Sequence, residues 1–250
     1  MENTLQNMLN LRYQAEIQLY RTDRRMQTLK EEIAQARYNQ RLANVAATDY
    51  KGSLQSFFHR FSGKQAEREE ELARQKHAAD DRLDTLLREQ ETLCRTRREL
   101  TEELCAIPTR EELTSRAGED PEFIVLANRL EVDFTAEMVL PMLEEAYDSL
   151  MELRQYLQER MTRITSHEEA QRIQTMPGIT AEQCIPLLQR MKAALDELEI
   201  PFAIPPYLQN PVAYLITASD HLRRDRINQA LDQVLETKKQ VSRIQETLGI

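Results

Sequence analysis

The stretch LQNMLNLRYQAEIQLYRTDRRMQTLKEEIAQARYNQRLANVAATDY, residues 5–50, decides the fold. It holds no proline and no glycine, so nothing in it enforces a break in a helix. Alternating steps of three and four residues select Leu5, Met8, Arg12, Ala15, Leu19, Thr22, Met26, Leu29, Ile33, Ala36, Gln40, Ala43, Ala47 and Tyr50. Eleven of these fourteen are apolar, while Glu, Arg and Gln crowd the positions between. A seam kept in phase over roughly six heptads marks a helix that buries one stripe along another helix.

The same stepping recurs further on, through Leu72, Lys76, Ala79, Leu83, Leu86, Gln90, Leu93, Arg97, Leu100, Leu104 and Ile107, with eight of eleven apolar. Each helix would be about 55–70 Å long at 1.5 Å per residue. All nine prolines lie after residue 107, and the only glycines before it, Gly52 and Gly63, bracket one short segment. Two seams of similar length about such a joint predict an antiparallel coiled-coil hairpin over residues 1–107, with its tip at 51–63. A parallel dimer through one continuous helix would have to run through both glycines and ranks second, which leaves self-association open. Reflection about the tip brings Gln40 and Lys76 to one level and predicts a polar layer there.

After Pro108 the texture changes, and residues 108–250 read as a smaller, acidic bundle of helices. Thr109-Arg110-Glu111-Glu112 is a capping box with Gly118 as a stop, and Asp120-Pro121 and Asn210-Pro211 pair an N-cap with an N1 proline. Thr180-Ala181-Glu182-Gln183 reads as a further box, stapled by Ile179 and Cys184. A long helix is predicted from about 136 to 175, with Pro141 as an alternative start and Leu143, Ala146, Leu150, Leu153, Leu157 and Ile164 on one face. A shorter one over 181–199 carries Leu188, Met191, Leu195 and Leu198, bent or delayed by Pro186. The connection IPFAIPPYLQNP, 200–211, reads as extended, and a last helix runs from 211 to about 248.

Composition excludes several classes. With 30% charged residues, 6% aromatic, no Trp and five Gly, the chain is rich in helix formers and poor in what parallel-sheet enzymes need. Residues 1–107 hold 18 basic and 18 acidic side chains, so the whole net charge of −9 falls on 108–250. That acidic half argues against general nucleic-acid binding, although Arg21, Arg24 and Arg25 cluster in the neutral half. The twenty uncharged residues from Ile200 to Ser219 have the length of a membrane span, but four prolines break it. The amino terminus lacks the pattern of a secretory signal, and three cysteines, Cys94, Cys105 and Cys184, make neither a disulfide framework nor a zinc spacing. A cytoplasmic chain with reduced thiols is the expectation.

Chemistry is sparse. The four histidines form no metal-ligand spacing, Ser219-Asp220-His221 cannot converge from three consecutive helix positions, and Gly63-Lys64 lacks the rest of a phosphate loop. No catalytic residue, cofactor or metal site is therefore expected. Eight carboxylates between 119 and 145, facing Arg129 alone, read chiefly as acids favoured at helix starts, with a cation site or a basic partner as rival readings.

The tip departs from this background. Three of the six phenylalanines fall within five residues, and Leu54, Phe57, Phe58 and Phe61 share one face if that segment is helical. Lys51, Arg60 and Lys64 flank them. Burying the four apolar side chains would contribute about 6–12 kcal/mol gross. That suffices to seat the tip within its own chain, in a groove on a protein partner or in an anionic membrane surface. The expectation is a non-enzymatic scaffold or adaptor that positions protein partners through the tip and the acidic region. The alternative is a peripheral membrane-associated or membrane-shaping protein whose tip inserts.

Overall fold

The computed structural model describes residues 2–52, 59, 65–159, 166–216 and 220–248, with the backbone alone at 2, 3, 51, 52, 220 and 221. Every regular element among them is a helix: α1 (Glu2–Gly52), α2 (Gln65–Ala106), α3 (Arg110–Ala117), α4 (Pro121–Glu159), α5 (His167–Glu197), α6 (Pro206–Gln209), α7 (Pro211–Leu215) and α8 (Asp220–Leu248). The chain is all-α, and it divides into two compact units, residues 18–107 and residues 1–17 with 108–250.

In the unit of residues 18–107, Leu29, Ile33 and Ala36 of α1 bury a common cluster with Leu83 and Leu86 of α2. No described residue that the first seam selects is exposed. On α2 the apolar seam positions are buried or half-buried, and only Lys76 and Arg97 reach the surface. Polar side chains lace the flanks. Arg25 holds Glu89 through Nε at 2.7 Å and Nη2 at 3.0 Å, and also reaches Glu32 at 2.6 Å. Arg82 meets Glu32 at 3.2 Å, and Arg97 meets Asp23 at 2.6 Å. The predicted polar layer differs in its partner. The Gln40 amide donates to Asp80 Oδ1 at 2.7 Å, one turn beyond Lys76, which stays in solvent where its ammonium keeps its hydration.

The larger unit is built on α4, which packs against α5 and α8. Its buried positions Val132, Ala136, Val139, Leu143, Ala146, Leu150, Leu153 and Leu157 follow the same alternation of fours and threes. Pro141 lies inside α4 rather than starting it. A proline inside a helix costs about 3 kcal/mol. Burying Leu143, Leu150, Leu153 and Leu157 returns about 6–12 kcal/mol gross, so the helix continues. It begins at Pro121, where Asp120 accepts the Glu122 N–H at 3.1 Å, and ends at Glu159, so the helix expected from about 136 to 175 is corrected at both ends; Ile164, expected on its face, lies outside the described residues.

α5 brings a second correction. It starts at Ser166, whose hydroxyl caps the Glu169 N–H, and runs through Pro177 and Pro186 to Glu197. Thr180 sits within that helix, and its hydroxyl donates to Met176 O at 2.9 Å instead of opening a box. The Tyr207 hydroxyl donates to the carbonyl of Pro177 at 2.7 Å from a fully buried position. The connection 200–211 is extended only to residue 205, then forms α6, and it buries Phe202, Tyr207 and Leu208 against the core. The other expected starts hold. Thr109 and Glu112 form a reciprocal capping box, Gly118 at φ 64° ends α3, and Asn210 caps α7 ahead of Pro211, but α7 stops at Leu215 where Ile216 turns extended, and α8 is a separate helix from Asp220, which corrects the single helix expected over 211–248.

A second apolar stripe on α1 lies beside the seam. Leu9 and Tyr13 pack with Leu113 of α3 and Phe123 of α4, all within the larger unit.

Candidate functional site

The seven side chains singled out at the tip are Lys51, Leu54, Phe57, Phe58, Arg60, Phe61 and Lys64. Lys51 belongs to α1 with its backbone alone described, and the other six lie outside the described residues. Tyr50 is buried, its hydroxyl stands 3.0 Å from His59 Nδ1, and the two rings are 5.9 Å apart at 42°. Below Tyr50, α1 and α2 border a hollow of about 480 Å3 lined by Asn44, Ala47, Thr48, Tyr50, Glu69, Leu72, Ala73 and Lys76. Its walls alternate methyl groups with one carboxylate, one ammonium and two small polar side chains, a mixture that admits water as readily as an apolar group.

No known protein family, curated protein or solved structure matches this chain. What can be said of its sites therefore rests on the side chains themselves.

The densest polar cluster lies within the larger unit. The Tyr13 hydroxyl donates to Glu131 Oε2 at 2.9 Å, and Arg110 Nη1 reaches the same oxygen at 2.6 Å. Arg110 Nη2 holds Glu16, while Arg190 takes the other Glu131 oxygen at 2.6 Å. The Arg110 guanidinium also lies over the Tyr13 ring at 3.8 Å and the Phe134 ring at 4.4 Å, and those two rings meet edge to face at 6.0 Å. Arg12 completes the group by binding Glu16 at 2.9 Å and donating to Pro108 O at 3.1 Å. Burial, and next the Glu131 carboxylate, raise the Tyr13 hydroxyl far above the usual phenol range. A phenol held protonated between a carboxylate and an arginine fastens α1 to α3 and α4.

This cluster was not anticipated, yet Leu9, Arg12, Tyr13 and Glu16 repeat at helical spacing beside the seam. The eight carboxylates between 119 and 145 do not converge. Glu131 belongs to the cluster above, Asp133 accepts from Gln245 at 3.0 Å, Glu144 pairs with Lys238 at 3.0 Å, and Asp120 caps α4. Arg129 donates to Leu248 O. Among the described residues no group of three or more His, Cys, Asp or Glu side chains is placed to hold a metal ion.

Cys94 and Cys105 are exposed, whereas Cys184 is fully buried with its thiol pushed up to about 12 by desolvation, so that sulfur stays protonated. Among the described residues no helix is long and apolar enough to cross a membrane.

Proposed function

We propose that this chain is a non-enzymatic coiled-coil scaffold or adaptor. In this reading residues 1–107 form an antiparallel hairpin with its tip at 51–63, and residues 108–250 form an acidic helical bundle. The observation that carries it is the order of the cross-helix pairs. Asp23 joins Arg97, Arg25 joins Glu89, Glu32 joins Arg82 and Gln40 joins Asp80, so residue numbers fall on α2 as they rise on α1. A helical pair held along its length by a buried seam and flanking charge pairs resists bending. At the tip the sequence concentrates phenylalanine and basic charge. Protein partners are then held at the tip and on the acidic bundle, in the cytoplasm, where exposed thiols such as Cys94 and Cys105 stay reduced.

Spin labels at residues 30 and 84, with Cys94 and Cys105 replaced by Ser, test the hairpin. Side-by-side helices of 10–12 Å diameter put the labels within about 25 Å, whereas one continuous helix puts them about 80 Å apart and refutes the arrangement. The function is tested by the pair Phe57→Ser and Phe61→Ser. Loss of partner crosslinks in cells, with the thermal midpoint unchanged, supports the adaptor. A lowered midpoint with every crosslink retained shows that the tip packs within its own chain. Recovery of the protein on anionic but not neutral vesicles, fading with salt, would replace the adaptor with the membrane reading, since Lys51, Arg60 and Lys64 add about 1 kcal/mol each toward anionic lipid.

A further inference from the structure

Within the larger unit, α5, α7 and the start of α8 border a half-open pocket of about 460 Å3 lined by Gln174, Gly178, Val212, Leu215, Ile216 and Arg223, with Thr175 and Ile179 at its side. Its size falls in the range of small-molecule sites, which are mainly apolar with a few polar groups that orient the ligand. The close approach that shapes its wall depends on Gly178, because a Cβ there would stand 2.9 Å from Val212 Cγ2. Ile179, Val212 and Ile216 leave 47%, 43% and 69% of their surface exposed, an apolar margin that gains by being covered.

The polar end is supplied by arginine. Three arginines open α8, and two of them are occupied by backbone carbonyls. Arg224 donates to Leu157 O at 2.6 Å, and Arg226 donates to Tyr214 O at 2.8 Å and Ile216 O at 3.3 Å. Arg223 differs. Its Nε is buried with no hydrogen-bond partner. Arg223 as a whole is half-buried and lines the pocket, so an anionic oxygen there would meet the accessible part of its guanidinium in a charge-assisted hydrogen bond, stronger than a neutral one.

We propose that this pocket binds a small free monocarboxylate with an aliphatic tail, the carboxylate on Arg223 and the tail across Val212, Leu215 and Ile216. Calorimetric titration of the intact protein with decanoate, below its micelle concentration, tests it. One saturable site is expected for decanoate, with decanol binding at least about tenfold more weakly and decyltrimethylammonium not detectably. Arg223→Gln should weaken decanoate about 10- to 100-fold, the range for losing a hydrogen bond to a charged group, while Arg223→Lys recovers part of the loss. Circular dichroism confirms that each variant remains folded. The ligand series on the unaltered protein decides the question even if a variant does not. Absence of saturable decanoate binding, equal binding of the ammonium compound, or a folded Arg223→Gln with unchanged affinity would overturn the site. Tighter binding of acetylated tri-leucine with a free carboxyl terminus than of decanoate would overturn the assignment to a free acid.

Discussion

Replacing Glu131 with Ala tests whether the cluster around Arg110 fastens α1 to α3 and α4. The change leaves the Tyr13 hydroxyl, on a side chain only 4% exposed, without its acceptor. Losing a hydrogen bond to a charged group costs about 1.5–3 kcal/mol. The Arg190 pair adds little, about 0–1 kcal/mol, because that arginine is half exposed. Arg110 keeps Glu16 and its two aromatic faces, so no stranded cation is added. The expected total is about 1.5–4 kcal/mol, read from urea unfolding followed by far-UV circular dichroism. Tyr13→Phe, which leaves Glu131 its two arginines, should cost less, about 0.5–1.5 kcal/mol. The double variant should show a coupling of at least about 0.5 kcal/mol between the two sites. If Glu131→Ala costs less than about 0.5 kcal/mol, as an ordinary surface change does, the cluster does not hold the helices and the reasoning fails.

Three further outcomes are expected. Glu199 follows α5 at φ 57°, a conformation costly for any residue with a Cβ, so Glu199→Gly should raise stability by about 0.5–1 kcal/mol in the same unfolding assay. Leu86→Ala, at a fully buried seam position, should cost about 2–5 kcal/mol, and Lys76→Ala, at an exposed one, should stay within about 0.5 kcal/mol. Because the folded Cys184 thiol is raised from 9.0 to about 12, its contribution is intact below pH 9.0 and is lost as pH climbs toward about 12. Cys184→Ala should accordingly flatten the fall of stability across that window in unfolding curves recorded at a series of pH values, whereas an unchanged slope would mean that the thiol ionises as freely folded as unfolded.

The seam residues were legible because helical period and burial are one signal in a chain this rich in helix formers. Leu29, Ile33, Ala36, Leu83 and Leu86 were chosen by spacing and are buried. Capping residues were legible where a side chain and a neighbouring N–H decide the matter locally, as at Thr109, Asp120 and Asn210. Pro141 and Pro186 misled the boundaries. A proline's local cost is visible in the sequence, while the tertiary burial that outweighs it is not. Thr180 misled for a related reason, since a hydroxyl can serve a helix start or bond back within a continuing helix, and the residues before it decide which. Arg110, Glu131 and Arg190 were invisible as a group because each comes from a different helix. Arg223 has no sequence signal of its own, because Arg224 and Arg226 beside it are the same residue type and only the folded chain gives them carbonyl acceptors.

The pairing of residues 1–17 with 108–250 bears on how the chain matures during synthesis. Tyr13 and Glu131 are 118 residues apart in sequence, and at about 5–20 residues added per second the partner appears roughly 6–24 s after the tyrosine. For most of that interval the apolar face formed by Leu9 and Tyr13 exists without Leu113 and Phe123 to cover it. The intervening segment, residues 18–107, makes its own contacts and can fold first, which shortens the loop whose closure entropy the late pairing must overcome. The larger unit is thereby the last to be completed, and a ribosome stalled before Leu113 would display an unfinished apolar stripe to the chaperones that bind such surfaces.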